Sequence, residues 1–166
     1  YYGVDCEPVV IGNGVDEKTF APTKSESEKN YVLYVGRLSY GKGLFDLLEC
    51  AKILGKSDIS FVLVGKGELE RKLKEKVKDA GLQDKILFTG QVDRKKLIRF
   101  YQDAIVITIP SHYESGPLVL LEAMSCGKPV VSTCVGIAPE IIKNFENGII
   151  IPPKSPEKMA EAVSNL

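Results

Sequence analysis

Six short aliphatic runs, each followed by a stretch with helical spacing, constrain this chain more than any other feature. Tyr31 to Val35 are all aliphatic or tyrosine and close on Gly36, the pattern of a strand buried on both faces. Leu44, Leu47, Leu48, Ala51 and Leu54 then recur as one apolar helical stripe able to cover a sheet. The alternation continues with a strand at Phe61 to Val64 and a helix striped by Leu69, Leu73, Val77 and Ala80, which Gly81 ends. Lys and Glu fill the positions between, as expected of a solvated face. A strand at Ile86 to Phe88 and a helix from about Arg94 to Gln102 lead into Ile105 to Ile109, the most apolar run and the expected sheet centre. Pro117 to Cys126, Pro129 to Ser132, Pro139 to Lys143, Ile149 to Ile151 and a helix from Ser155 complete the series.

Short connections between such units demand parallel strands with helices on both faces. The expected fold class is therefore α/β, a doubly wound, Rossmann-like parallel sheet, which binds ligands at the carboxyl ends of its strands. A chain of 166 residues, 44% apolar, suits a single core. We divide it into residues 1–30, an incoming interdomain segment and loop, and a Rossmann-like domain at 31–166. The first residue is not Met and the last residues stop inside a helical pattern, so a fragment of a longer protein is expected.

Charge excludes one class of partner. Lys and Arg number 22 against 22 Asp and Glu, so no overall positive field favours nucleic acid, and a phosphate must be met locally. Cys6, Cys50, Cys126 and Cys134 lack the spacing of a zinc site and the density of a disulfide scaffold; buried free thiols in a reducing compartment are expected. With no apolar run of the roughly 20 residues a spanning helix needs, the chain reads as cytoplasmic.

Three loops at strand ends carry the candidate chemistry. Gly36-Arg37-Leu38-Ser39-Tyr40-Gly41-Lys42-Gly43 puts two cations and three glycines at a helix entry, which supplies charge, close backbone approach and amide donors for a diphosphate; a glycine-rich turn with exposed cations is the competing reading. Gly65-Lys66-Gly67-Glu68-Leu69-Glu70 begins like a dinucleotide fingerprint but lacks its third glycine, so a structural turn is expected. The third loop, from Pro110 to Met124, contains Glu114, a Gly116 expected as helix cap, Pro117 at the first helical position and free amides at Leu118 and Val119. Glu122 lies in an otherwise apolar helical stretch and needs partners, for which sugar or ribose hydroxyls are suitable. His112, the single histidine, has no evident orienting group and is read as incidental. No cluster of hard oxygen ligands indicates a metal.

The Glu114 to Glu122 spacing resembles the E-x7-E signature of retaining glycosyltransferases of the GT-B fold, in particular family 4. Ile11-Gly12-Asn13-Gly14-Val15-Asp16 with Phe20-Ala21-Pro22, Gly36-Arg37-Leu38 with Lys42-Gly43, Phe88-Thr89-Gly90-Gln91-Val92, and Asn147-Gly148 follow in the family's order. The resemblance implies a carboxy-terminal donor domain for a nucleotide-diphosphate sugar. Arg37 and Lys42 would hold the diphosphate, Glu122 the ribose, Val92 the base, and Glu114 would face the transferred sugar. Gly116, Pro117 and Leu118 would line the phosphate and sugar pocket; Gly116-Pro117 departs from the family's aromatic residue and glycine and bears on the donor sugar. It further implies retaining, metal-independent transfer without cofactor, to a glycan such as lipopolysaccharide, a lipid or a small molecule. The acceptor pocket would belong to an amino-terminal domain of the same protein, which would also make any peripheral contact with the cytosolic face of a membrane. A sugar-nucleotide 2-epimerase built on the same donor half and a non-catalytic nucleotide-binding module are the alternatives.

Overall fold

The structure, a computed structural model, describes residues 12–23 and 29–166; Cys6 and Ile11 lie outside them. Strands and helices alternate as β1 (Tyr31–Val35), α1 (Leu44–Ile53), β2 (Ser60–Val64), α2 (Glu70–Asp79), β3 (Ile86–Gly90), α3 (Arg94–Asp103), β4 (Val106–Ile109), α4 (Leu118–Ser125), β5 (Val130–Thr133), α5 (Ala138–Ile141), β6 (Gly148–Ile151) and α6 (Pro156–Ser164). All pairings are parallel, in the order β3-β2-β1-β4-β5-β6. The strand order reverses between β1 and β4, and such a reversal leaves a crevice at the strands' carboxyl ends because the two following loops diverge to opposite faces.

Alternation along each strand sorts the core into two layers. Val32, Tyr34, Phe61, Leu63, Val106, Val131, Ile149 and Ile151 face α1, α2 and α6, meeting Leu44, Leu47, Leu73, Val77, Met159 and Val163. Leu33, Val62, Val64, Ile107, Ile109 and Val130 face α3, α4 and α5, meeting Tyr101, Leu120, Ala123 and Ala138. Phe20, from the segment before β1, docks into this second layer, and the Ser125 hydroxyl donates to its carbonyl oxygen.

Two sequence expectations require correction. Gly116 is not the cap of α4: Pro117, extended at ψ 110°, occupies that place and Leu118 is the first helical residue. The chain turns helical one residue late because Pro117 keeps an extended ψ, and the proline packs beside Gly136 of the β5–α5 connection, where a Cβ would meet its Cδ at 3.0 Å. Nor are the described thiols all buried. Cys50 and Cys126 are, and burial pushes them up to about 12 and about 11, but Cys134 is exposed where β5 ends. Among the described residues no helix is long and apolar enough to cross a membrane.

Candidate functional site

At the strand-order reversal, the loops after β1 and β4 are bound to each other. Gly43 caps α1 in the left-handed conformation (φ 64°), and a Cβ there would stand 1.8 Å from the Pro110 carbonyl oxygen, so only glycine lets the loops approach. The His112 amide donates to the Gly41 carbonyl at 2.7 Å. Lys42 Nζ donates to Glu114 Oε2 at 2.5 Å, and the Ser111 hydroxyl reaches the same oxygen at 3.2 Å. Thr133 of β5 braces the base of the second loop, its hydroxyl donating to the carbonyls of Ile109 and Ser111.

His112 has an orienting group after all. A carboxylate can only accept, so His112 Nε2 donates to Asp46 Oδ2 at 2.7 Å, from the first turn of α1. Both side chains are about four-fifths covered, at 23% and 20% exposure, which makes this a further tie between the loops rather than a loose surface pair.

These ties shape a cleft of about 100 Å³ over β1 and β4, with Gly36, Lys42, Ser111, Glu114, Pro117 and Leu118 on its walls. The amides of Leu118 and Val119 find no acceptor among the described residues, as the first turn of a helix requires, and they add partial positive charge beside Lys42. Beyond Glu114 the cleft opens onto a depression lined by His112, Tyr113, Ser115 and Cys134. A roomier groove of about 400 Å³ between α1 and α2 is lined by Phe45, Leu48, Lys72 and Val77, but it lies away from the strand ends.

Not every sequence candidate joins the cleft wall. Arg37 is exposed on the same loop as Lys42 and its side chain has no partner among the described residues. Gly116 accepts, through its carbonyl, a 3.3 Å hydrogen bond from the Asn13 side chain of the incoming segment. Val92 is half-buried just past β3, against the second core layer. Glu122 stands further along α4 and already has a protein partner: the hydroxyl of buried Tyr101 donates to Glu122 Oε2 at 2.6 Å. Burial first, and then the Glu122 charge, push the Tyr101 phenol above its ordinary range, so it remains a donor. The Gly65-Lys66-Gly67 segment is structural, since the Leu38 amide donates to Lys66 O and Leu38 O accepts from Leu69, joining the loops after β1 and β2.

Comparison with known proteins settles the family. The sequence profile described as Glycosyl transferases group 1 matches residues 15–166. The chain belongs to this family. A glycosyltransferase of Methanocaldococcus jannaschii is 37% identical over 142 residues, covering 85% of the chain and 36% of the relative. A D-inositol 3-phosphate glycosyltransferase of Paenarthrobacter aurescens is 32% identical, covering 100% of the chain and 45% of the relative. Among solved structures, the C-terminal domain of a glycosyl transferase group 1 family protein from Francisella tularensis superposes with a TM-score of 0.82 at 30% identity, over 92% of this chain and 87% of that one. The group 1 chain thus has the fold of the carboxy-terminal half of GT-B glycosyltransferases, and it spans less than half the length of these curated relatives.

Proposed function

We propose that this group 1 domain is the donor half of a retaining, metal-independent glycosyltransferase of family 4 and that it binds a nucleotide-diphosphate sugar in the crevice between β1 and β4. One observation carries the reading: Lys42, Glu114 and the unpaired amides of α4 converge on one cleft at the strand-order reversal. A diphosphate meets there a cation and helix-terminal donors, and a sugar meets a carboxylate. Lys42, with Arg37 on the same loop, neutralises the diphosphate as the bond from the anomeric carbon breaks and its electron pair leaves on the phosphate oxygen. That charge compensation comes from side chains and amides, so the reaction runs without a divalent cation. Glu122 accepts from the ribose hydroxyls, Val92 touches the base, Gly116, Pro117 and Leu118 line the sugar, and Glu114 faces it.

A ligand pocket ordinarily encloses about 300–1,000 Å³, whereas this cleft has about 100 Å³. The remaining wall and the acceptor site belong to an amino-terminal half, and this half alone transfers no sugar. A thermal-shift screen against UDP, GDP, ADP and their sugars tests the reading. A ligand at one hundred times its Kd stabilises by about 2.7 kcal/mol, which raises the Tm by several degrees. A folded protein that none of these nucleotides stabilises refutes the donor assignment.

A further inference from the structure

Tyr101 is the one fully buried side chain of α3, at 0% exposure, and its ring stands edge-on to Phe20 with centroids 5.8 Å apart. Phenylalanine would fill that space equally well. The hydroxyl therefore needs its own explanation, because a buried hydroxyl is costly unless it is bonded. Its acceptor is Glu122 Oε2 at 2.6 Å, the short distance of a charge-assisted bond. The second oxygen, Glu122 Oε1, accepts from nothing among the described residues. One end of this carboxylate is thus anchored in the core and the other is left for an outside donor.

We propose that Tyr101 is a positioning residue for the donor ribose: its buried hydroxyl fixes Glu122 through one oxygen so that the other is presented to the ribose hydroxyls. The proposal rests on the assignment of Glu122 to the ribose. A carboxylate held in one plane keeps its free lone pairs aimed without reordering on binding, and preorganisation of this kind is what a rigid second residue contributes. Phe20 backs the tyrosine from the segment before β1, so the support of the ribose site includes residues outside the sheet.

Tyr101→Phe keeps the packing and removes only the hydroxyl. Calorimetry compares UDP, GDP and ADP with their 2′-deoxy and 3′-deoxy forms in the wild type, Tyr101→Phe, Glu122→Gln and the double variant, after near-ultraviolet circular dichroism has shown each to be native. The wild type is expected to prefer the ribose form of its best nucleotide by about tenfold, the value of one hydrogen bond to a charged group. Tyr101→Phe should cut that preference about threefold or more while leaving pyrophosphate binding unchanged, and in the double variant it should add nothing to the loss caused by Glu122→Gln. Equal weakening of ribose and deoxyribose forms by Tyr101→Phe, or no change, overturns the positioning role. If Glu122→Gln abolishes the ribose preference and Tyr101→Phe preserves it, only the tyrosine is misassigned. If Glu122→Gln also preserves it, or the wild type shows none, the ribose assignment of Glu122 falls and the tyrosine's role with it.

Discussion

The two glutamates of the site are held in opposite ways. Glu114 sits on the loop after β4, at 21% exposure, and its partner is Lys42, a charged side chain at 26% exposure that the proposed function assigns to the diphosphate. Glu122 sits inside α4, and its partner is the phenol of Tyr101, buried in the core. An ion pair on the cleft wall, about three-quarters covered, can still be exchanged by a ligand that brings its own anion to the lysine. A charge-assisted bond from a desolvated hydroxyl is worth about 1.5–3 kcal/mol and stays. The Glu114 contact is therefore exchangeable and the Glu122 contact fixed, which under the proposed function suits a ligand whose sugar and phosphate react while its nucleoside only anchors.

The largest effect should come from separating the two loops on which the exchangeable end depends. Gly43→Ala forces a Cβ into the Pro110 carbonyl and holds alanine at a positive φ, and should cost about 3 kcal/mol or more in urea unfolding. Gly41→Ala is the control: its φ is 84° but nothing lies within 4 Å, so only the backbone preference of about 1–2 kcal/mol is lost. Equal costs for the two would mean that loop contact does not constrain position 43. Second in size is Lys42→Ala, which should weaken nucleoside diphosphate binding at least about tenfold in calorimetry, with Arg37→Ala acting in the same direction. Unchanged affinity in both variants removes the phosphate assignment.

How legible these regions are in sequence follows from the range of their interactions. The strands and helices are readable to within one or two residues because their apolar periods are local, β3 and α5 differing by two at their ends, and even the sheet centre at Ile105 to Ile109 follows from a run of adjacent residues. Glu122 announced itself as a carboxylate among apolar neighbours. Its actual partner did not, because Tyr101 lies 21 positions away on another helix and reads there as an ordinary core residue. Lys42 and Glu114 are 72 positions apart, and His112 and Asp46 are 66 apart; both contacts exist only because β1 and β4 are neighbours in the sheet. His112 reads as incidental because no orienting group is evident in the sequence, and the signal that could find one is Asp46 in the first turn of the helix after β1, once that strand order is inferred. The packing of Pro117 against Gly136, from a different connection, likewise carries no local signal.

The His112–Asp46 contact allows a smaller test of the loop end. His112→Ala removes one of several ties, and for a partly exposed pair the loss is about 0.5–1 kcal/mol, or roughly two- to fivefold in nucleotide-sugar affinity. Asp46→Asn, which retains an acceptor oxygen for His112, should lose less. If His112→Ala leaves Kd and Tm both unchanged, the pair is an incidental surface contact and the loops are held by backbone alone.

The smallest shift is expected at Glu114, and it separates competition from support. Glu114 holds the Lys42 ammonium at 2.5 Å, and under the proposed function a nucleoside diphosphate takes that ammonium over and breaks the contact. Glu114→Gln keeps the shape and an acceptor for Ser111 but removes the charge, which releases Lys42. The bare diphosphate should then bind as well as before or up to about fivefold more tightly, which corresponds to about 1 kcal/mol for one partly exposed ion pair. The added affinity that the sugar confers should fall at the same time, since the hydroxyls opposite a neutral amide lose a charge-assisted bond. Glu122→Gln should behave in the reverse manner, weakening the diphosphate and its sugar alike because both contain the ribose. If Glu114→Gln instead lowers diphosphate affinity as Lys42→Ala does, then Glu114 does not compete for the lysine but holds it in place for the phosphate, and both glutamates belong to the fixed part of the crevice.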